Sequence, residues 1–163
     1  MIINLENIFS GSELEIKLNH EFDFSGEDFN GGFPFKNPIK LTGAIKNRVG
    51  MISIDAKAEF DITYECDRCM EKTHKDFQVL IKHDLVNELN DEDNDEFILL
   101  EDMKLDVRLL TLEDIYLLLP SKLLCNEDCE GICPSCGVNL NEKSCDCKKD
   151  IDPRLEALLG FLD

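Results

Sequence analysis

Eight cysteines carry the clearest chemistry in this chain. Six lie between Cys125 and Cys147, in C-N-E-D-C-E-G-I-C-P-S-C-G-V-N-L-N-E-K-S-C-D-C, a turn-rich stretch with too few apolar residues to fold unaided. The other two, Cys66 and Cys69, form a Cys-x-x-Cys pair, and 55 residues separate Cys69 from Cys125. Eight thiols supply two complete four-ligand sites. Cys133-Pro134-Ser135-Cys136-Gly137 is a knuckle in which two thiolates point at one ion and the glycine relieves the turn, a geometry that zinc accepts tetrahedrally. Cys145 and Cys147 add two more sulfurs after an eight-residue loop that contains Gly137, Asn139 and Asn141, residues that tolerate turns. One local site is expected there. Cys125 and Cys129 then need two further thiolates, and Cys66 and Cys69 remain to supply them. The other partition joins Cys66 and Cys69 to Cys133 and Cys136, leaving Cys125, Cys129, Cys145 and Cys147 together, and the sequence leaves it open.

Other uses of cysteine compete with zinc. Disulfides need an oxidising compartment, whereas M-I-I-N-L-E-N-I-F-S-G-S-E carries acids where a signal peptide wants basic and then apolar residues. A cytoplasmic, reduced protein is expected. Iron–sulfur clusters favour other spacings, and a thioredoxin-like motif wants a βαβ context that the sequence does not offer. Sites closed by four sulfurs leave no position for a reacting water, so one or two structural zinc ions are expected.

The elements that must position these thiols follow from length and pattern. At 163 residues, 43% of them hydrophobic, the chain can build one ordinary core and a small metal-held appendage. It has no apolar run near the roughly eighteen residues of a membrane helix, and no membrane partner is expected. The formal charge of −18 disfavours non-specific binding to phosphate. That charge is uneven: residues 84–102 hold nine acids and no Lys or Arg, which is half of the net charge. The N-terminal half is nearly balanced and can offer a local basic face.

Leu14, Ile16 and Leu18 alternate with polar residues as in a half-buried strand. Residues 25–38 read as a loop whose Phe29, Phe33 and Phe35 anchor in the core, with an exposed aromatic patch as the less common alternative. Ile39, Leu41 and Ile45 lead to a turn at 47–50. After it Ile52, Ile54, Ala56, Ala58, Phe60, Ile62 and Tyr64 alternate with polar residues in a long hairpin arm that ends at the Cys66 knuckle. Phe77, Val79, Ile81 and Leu85 mark the next strand. His83 stands in its apolar phase, where a hydrogen-bonded core histidine is expected. Residues 87–95 form an acidic loop, and 97–100 an edge strand. Leu109, Leu112, Ile115, Tyr116 and Leu119 predict a helix from about Asp106 that stops at Pro120 and covers the sheet. Asp152-Pro153-Arg154 starts a last helix with Leu155, Leu158, Leu159 and Leu162 on one face. The expected fold is therefore α+β: an antiparallel meander or open barrel-like sheet in residues 1–120, covered by a Leu-rich helix, with a cysteine-rich zinc-binding segment and C-terminal helix in 121–163 packed on it.

Nothing pairs His20, His74 or His83 with a nucleophile, and no phosphate-cradling glycine loop occurs. No catalysis and no small-molecule substrate are expected. The set Glu65-Cys66-Asp67-Arg68-Cys69, the acidic spacer, the helix ending at Pro120, Gly131-Ile132-Cys133-Pro134-Ser135-Cys136-Gly137-Val138-Asn139-Leu140-Asn141, Cys145-Asp146-Cys147 and Asp152-Pro153-Arg154 resembles the YceD family, the large ribosomal RNA subunit accumulation proteins. The cysteine-rich C-terminal version looks like that of Gram-positive bacteria. The resemblance implies a cytoplasmic ribosome biogenesis factor that supports 23S rRNA accumulation, with a pre-ribosomal large-subunit particle, its rRNA or a basic ribosomal protein as partner. Given the acidity, RNA contact would need a local patch, for which Arg68, Lys72, Lys75, Lys46 and Arg48 are the candidates. The alternative is an acidic chaperone or adaptor for a basic ribosomal protein, with purely structural zinc and residues 84–102 as its dock.

Overall fold

A computed structural model describes residues 1–88 and 97–147. The chain divides into two compact units: one of Met1–Tyr64 and His74–Ser121, the other of Glu65–Thr73 and the chain from Lys122 onward. The expected acidic loop lies outside the described residues except for Asn87 and Glu88, and so does the expected helix after Asp152.

In order, the elements are β1 (Ile2–Asn4), α1 (Glu6–Phe9), β2 (Glu15–Phe22), β3 (Ile39–Arg48), β4 (Met51–Glu65), β5 (Lys72–Val86), β6 (Phe97–Leu99), β7 (Lys104–Asp106) and α2 (Val107–Leu118). The structure is mostly β. The main sheet has the order β2-β3-β4-β5-β6, and β1 pairs with β7 in a separate two-stranded sheet.

Strand β4 shows why the sequence folds this way. Its seven alternate apolar residues, Ile52 to Tyr64, are all buried, while their polar neighbours are exposed or half-exposed. A period of two puts one set on each face, so this register leaves one dry face and one wet face. Pairing with β3 sets Ile45 against Ile54 and Leu41 against Ala58 on the dry face. Gly43 sits opposite Ala56; a Cβ there would come within 2.4 Å of the Ala56 Cα, so only glycine permits this approach. Arg48 pairs with Met51 across a two-residue loop in which Val49 (φ 56°) and Gly50 (φ 87°) are both left-handed, as the twist of a tight hairpin requires. Asn47 braces the turn, accepting from the Gly50 N–H at 2.9 Å and donating to the Ile8 carbonyl at 2.7 Å.

Two expectations change. The sheet is mixed, because β6 runs parallel to β5, with Leu85 opposite Ile98. Ten residues separate Val86 from Phe97, more than a hairpin needs, and a longer connection allows the chain to return in the same direction. In α2 the expected stripe holds in part: Leu112, Ile115 and Leu119 are buried and Tyr116 half-buried, whereas Leu109 is exposed and Val107, Leu110, Thr111 and Asp114 join the buried face. The helix stops at Leu118, and Leu119 is buried beyond it.

Asp106 caps α2, accepting from the Arg108 and Leu109 N–H groups at 3.1 and 3.3 Å. Asp114, buried on the inner face, is met by His83 Nε2 at 2.8 Å, so the histidine in the apolar phase of β5 has a carboxylate partner. Phe24 and Phe35 are fully buried. Phe29 packs on Tyr116 with ring centroids 5.6 Å apart, while Phe33 is exposed. Among the described residues, no helix is long and apolar enough to cross a membrane.

Candidate metal centres

The second unit gathers the eight thiols into two tetrads, Cys66, Cys69, Cys125 and Cys129 in one and Cys133, Cys136, Cys145 and Cys147 in the other. Within each, all four sulfurs lie within 4.8 Å of one another. This is the first of the two partitions that the sequence left open.

The first tetrad is built on the turn between β4 and β5. Cys66 N–H donates to the Glu71 carbonyl at 2.9 Å and Met70 N–H to the Cys66 carbonyl at 2.9 Å, which closes the knuckle. Asp67 clamps it to the distant segment: its N–H donates to the Leu123 carbonyl at 2.9 Å, and its carboxylate accepts the Leu123 N–H at 2.6 Å. Cys125 and Cys129 are thereby delivered to the knuckle. Cys66 and Cys129 sulfurs are 3.7 Å apart, and those of Cys69 and Cys125 are 3.6 Å apart. A disulfide needs about 2.05 Å, whereas a tetrahedron with Zn–S bonds of about 2.3 Å has edges of roughly 3.8 Å. The spacing fits four sulfurs around one tetrahedral, thiophilic dication.

Backbone turns build the second tetrad. Gly137 N–H donates to the Cys133 carbonyl at 2.8 Å, and Cys133 N–H donates to Val138 O at 2.8 Å. The two tetrads differ in exposure. Cys66, Cys69 and Cys129 are buried and Cys125 half-buried, while in the second only Cys133 is buried.

Electrostatics within the tetrads favours a cation. Burial pushes the Cys66 thiol up, but backbone hydrogen bonds with Cys125, Cys69 and Arg68 outweigh it and bring its pKa down to about 6. Backbone hydrogen bonds with Cys136 and Ser135 bring Cys133 to about 6 as well. Their neighbours move the other way. Cys125 is pushed up to about 12 by burial and then by the sulfurs around it, and Cys147 to about 12, chiefly by its hydrogen bond with Cys136. Each tetrad thus has one thiol poised to ionise and another that resists adding a second negative charge nearby. A bound dication removes that resistance.

Within the first unit, the basic candidates Lys46, Arg48 and Lys75 do not form one patch. Lys46 and Arg48 are at the β3–β4 tip, whereas Lys75 follows His74, which touches Thr63 at 3.3 Å. Thr63 is twelve residues along β4 from Met51, roughly 40 Å in an extended strand. Lys72 and Arg68 belong to the second unit. Arg68 is engaged locally, its guanidinium donating to the Cys129 carbonyl at 2.8 Å and the Glu127 carbonyl at 3.4 Å. Sequence reasoning missed the supports of the first tetrad. Asn141 Nδ2 donates to Cys129 Sγ at 3.4 Å, and Asn126 Nδ2 to Cys125 Sγ at 3.6 Å. Both are polar residues in loops, where turn propensity already accounts for an asparagine.

Fold and site define a class: a small, β-rich protein whose second compact unit gathers eight thiols into two four-sulfur tetrads. Residues 54–162 match the family model described as large ribosomal RNA subunit accumulation protein YceD. The chain belongs to the YceD family. It is 24% identical over 160 residues to the chloroplastic large ribosomal RNA subunit accumulation protein YCED homolog 1 of Arabidopsis thaliana, covering 80% of this chain and 50% of that one. The homologue of the same name in Zea mays is 26% identical over 153 residues, 74% of this chain and 52% of its own length. An uncharacterized protein of Mycobacterium tuberculosis is 30% identical over 102 residues, 60% of this chain and 49% of that one. The chain spans about half the length of these curated relatives. No solved structure matches it.

Proposed function

We propose that this chain supports the accumulation of large-subunit ribosomal RNA as a binding factor in ribosome biogenesis, acting in a reducing compartment, the cytoplasm. The observation that carries this reading is the family match across residues 54–162. We propose that Cys66, Cys69, Cys125 and Cys129 hold one zinc ion and Cys133, Cys136, Cys145 and Cys147 a second. Zinc supplies a cross-link there and no reaction, because four protein sulfurs leave no position for water or substrate.

For contact with pre-ribosomal RNA we favour the β3–β4 tip. Arg48 is exposed, and among the described residues its guanidinium has neither a hydrogen bond nor an ion pair. Lys46 stands on the same arm, 3.4 Å from Glu15, and Val49 is fully exposed between them and Met51. Lys72 and Lys75 are secondary candidates, whereas the bonds of Arg68 fit a supporting role at the metal centre. One observation favours a second reading, an acidic adaptor for a basic ribosomal protein: residues 84–102 carry nine acids and no Lys or Arg.

Tagged protein recovered from cells with its associated particles tests both. Lys46→Glu with Arg48→Glu should abolish co-recovery of large-subunit precursor RNA while zinc content is kept, and deletion of 89–95 should leave it intact. The opposite pattern would favour the adaptor. Recovery unaffected by either change would remove both contact assignments.

A further inference from the structure

We propose that the two tetrads bind metal as a coupled pair and that Asn141 is the positioning residue that transmits loading of the Cys133 centre to the Cys66 centre. This rests on reading the tetrads as metal sites.

Asn141 belongs to one centre by sequence and to the other by contact. It lies in the 137–144 loop, between the second tetrad's two cysteine pairs, yet its Nδ2 donates to Cys129 Sγ of the first tetrad at 3.4 Å. Its orientation is fixed by the partners. Asn141 Oδ1 accepts the Glu130 N–H at 2.8 Å, and Nδ2 also donates to Asn139 Oδ1 at 2.7 Å. Reversing the amide would turn an oxygen toward both Asn139 Oδ1 and the thiolate, and would leave Glu130 N–H facing a donor.

The backbone reinforces this connection. Ile132 N–H donates to the Arg68 carbonyl at 3.1 Å, and Leu140 N–H to the Gly131 carbonyl at 2.8 Å. Arg68 in turn holds the Cys129 carbonyl at 2.8 Å. Gly131, at φ +78°, lies so close to this seam that a Cβ would be 2.9 Å from the Arg68 oxygen. The hairpin that carries the second tetrad is therefore laid against the knuckle of the first.

Among the described residues, little else holds the loop. None of residues 134–147 is buried, so its shape depends on turn hydrogen bonds and on closure of the Cys133 centre by a metal ion. Closure places the Asn141 amide on Cys129. A donor at a ligating sulfur orients the ligand and spreads its charge, and losing such a support typically costs about 10–100-fold in metal affinity. Coupling is reciprocal, so a loaded Cys66 centre also favours the loop that the second centre needs.

The test uses the full chain loaded with zinc and challenged with a graded chelator. Alkylation of the Cys66 and Cys133 peptides, read by mass spectrometry, reports each centre separately. Asn141→Ala should weaken protection of Cys66 about tenfold. Cys145→Ser with Cys147→Ser, which removes the second centre, should weaken it about as much, and adding Asn141→Ala to that background should change nothing further. Asn141 is exposed, so its loss should leave the circular dichroism of the loaded protein unchanged. Cys66 protection that is untouched by Asn141→Ala, or that falls equally with and without the second centre, would overturn the coupling while leaving two independent metal sites. A chain that protects no thiol when zinc is added would overturn the metal reading as well.

Discussion

Gly131 is the residue on which the seam between the two tetrads depends, because its left-handed backbone and its approach to the Arg68 carbonyl both exclude a side chain. Gly131→Ala should destabilise the second unit by about 1–3 kcal/mol. Gly137→Ala serves as the control, since Gly137 is also left-handed (φ +73°) but has open space around its Cβ direction. Denaturant midpoints of the zinc-loaded proteins compare them, and equal losses would mean that the contact with Arg68 contributes nothing. The thiols themselves were legible in the sequence, because eight sulfurs at these spacings permit few partitions. Their supports were not. Asp67, Asn126 and Asn141 act through bonds to residues far away in sequence or to a neighbour's sulfur, and no spacing rule marks such bonds.

At the level of elements, α2 begins where Asp106 can cap it, and two backbone donors converge on that carboxylate. Asp106→Ala should cost about 0.5–2 kcal/mol, seen as a lower denaturant midpoint with an unchanged slope; an unchanged midpoint would show that the cap is redundant. The start of this helix could be read from the sequence, and so could most of its stripe, but not which residues complete the buried face. With Leu at 109, 110, 112, 117, 118 and 119, several stripes satisfy a 3.6-residue period, and burial of Asp114 against His83 fixes which one faces inward. Strand β4 was readable residue by residue because seven apolar positions in strict alternation allow a single register. The three-residue strands β1, β6 and β7 are too short to show a period, so the parallel pairing of β6 and the β1–β7 sheet had no signal in the pattern.

At the level of the whole molecule, a formal charge of −18 means that the RNA contact proposed above needs a local feature, and Arg48 at the hairpin tip, whose guanidinium has no partner among the described residues, is placed to be one. Among its described residues the second unit buries few beyond the cysteines, and metal held by the two tetrads, as proposed, would supply the cross-links that so small a core does not. The most direct measurement is the ratio of large- to small-subunit rRNA, with subunit profiles on a gradient, in cells depleted of this protein and in cells depleted of an unrelated one. A selective fall in the large-subunit species, restored by the intact chain, is the expected result. An unchanged ratio after depletion would contradict the account, leaving an acidic β protein with two four-sulfur centres and some other partner.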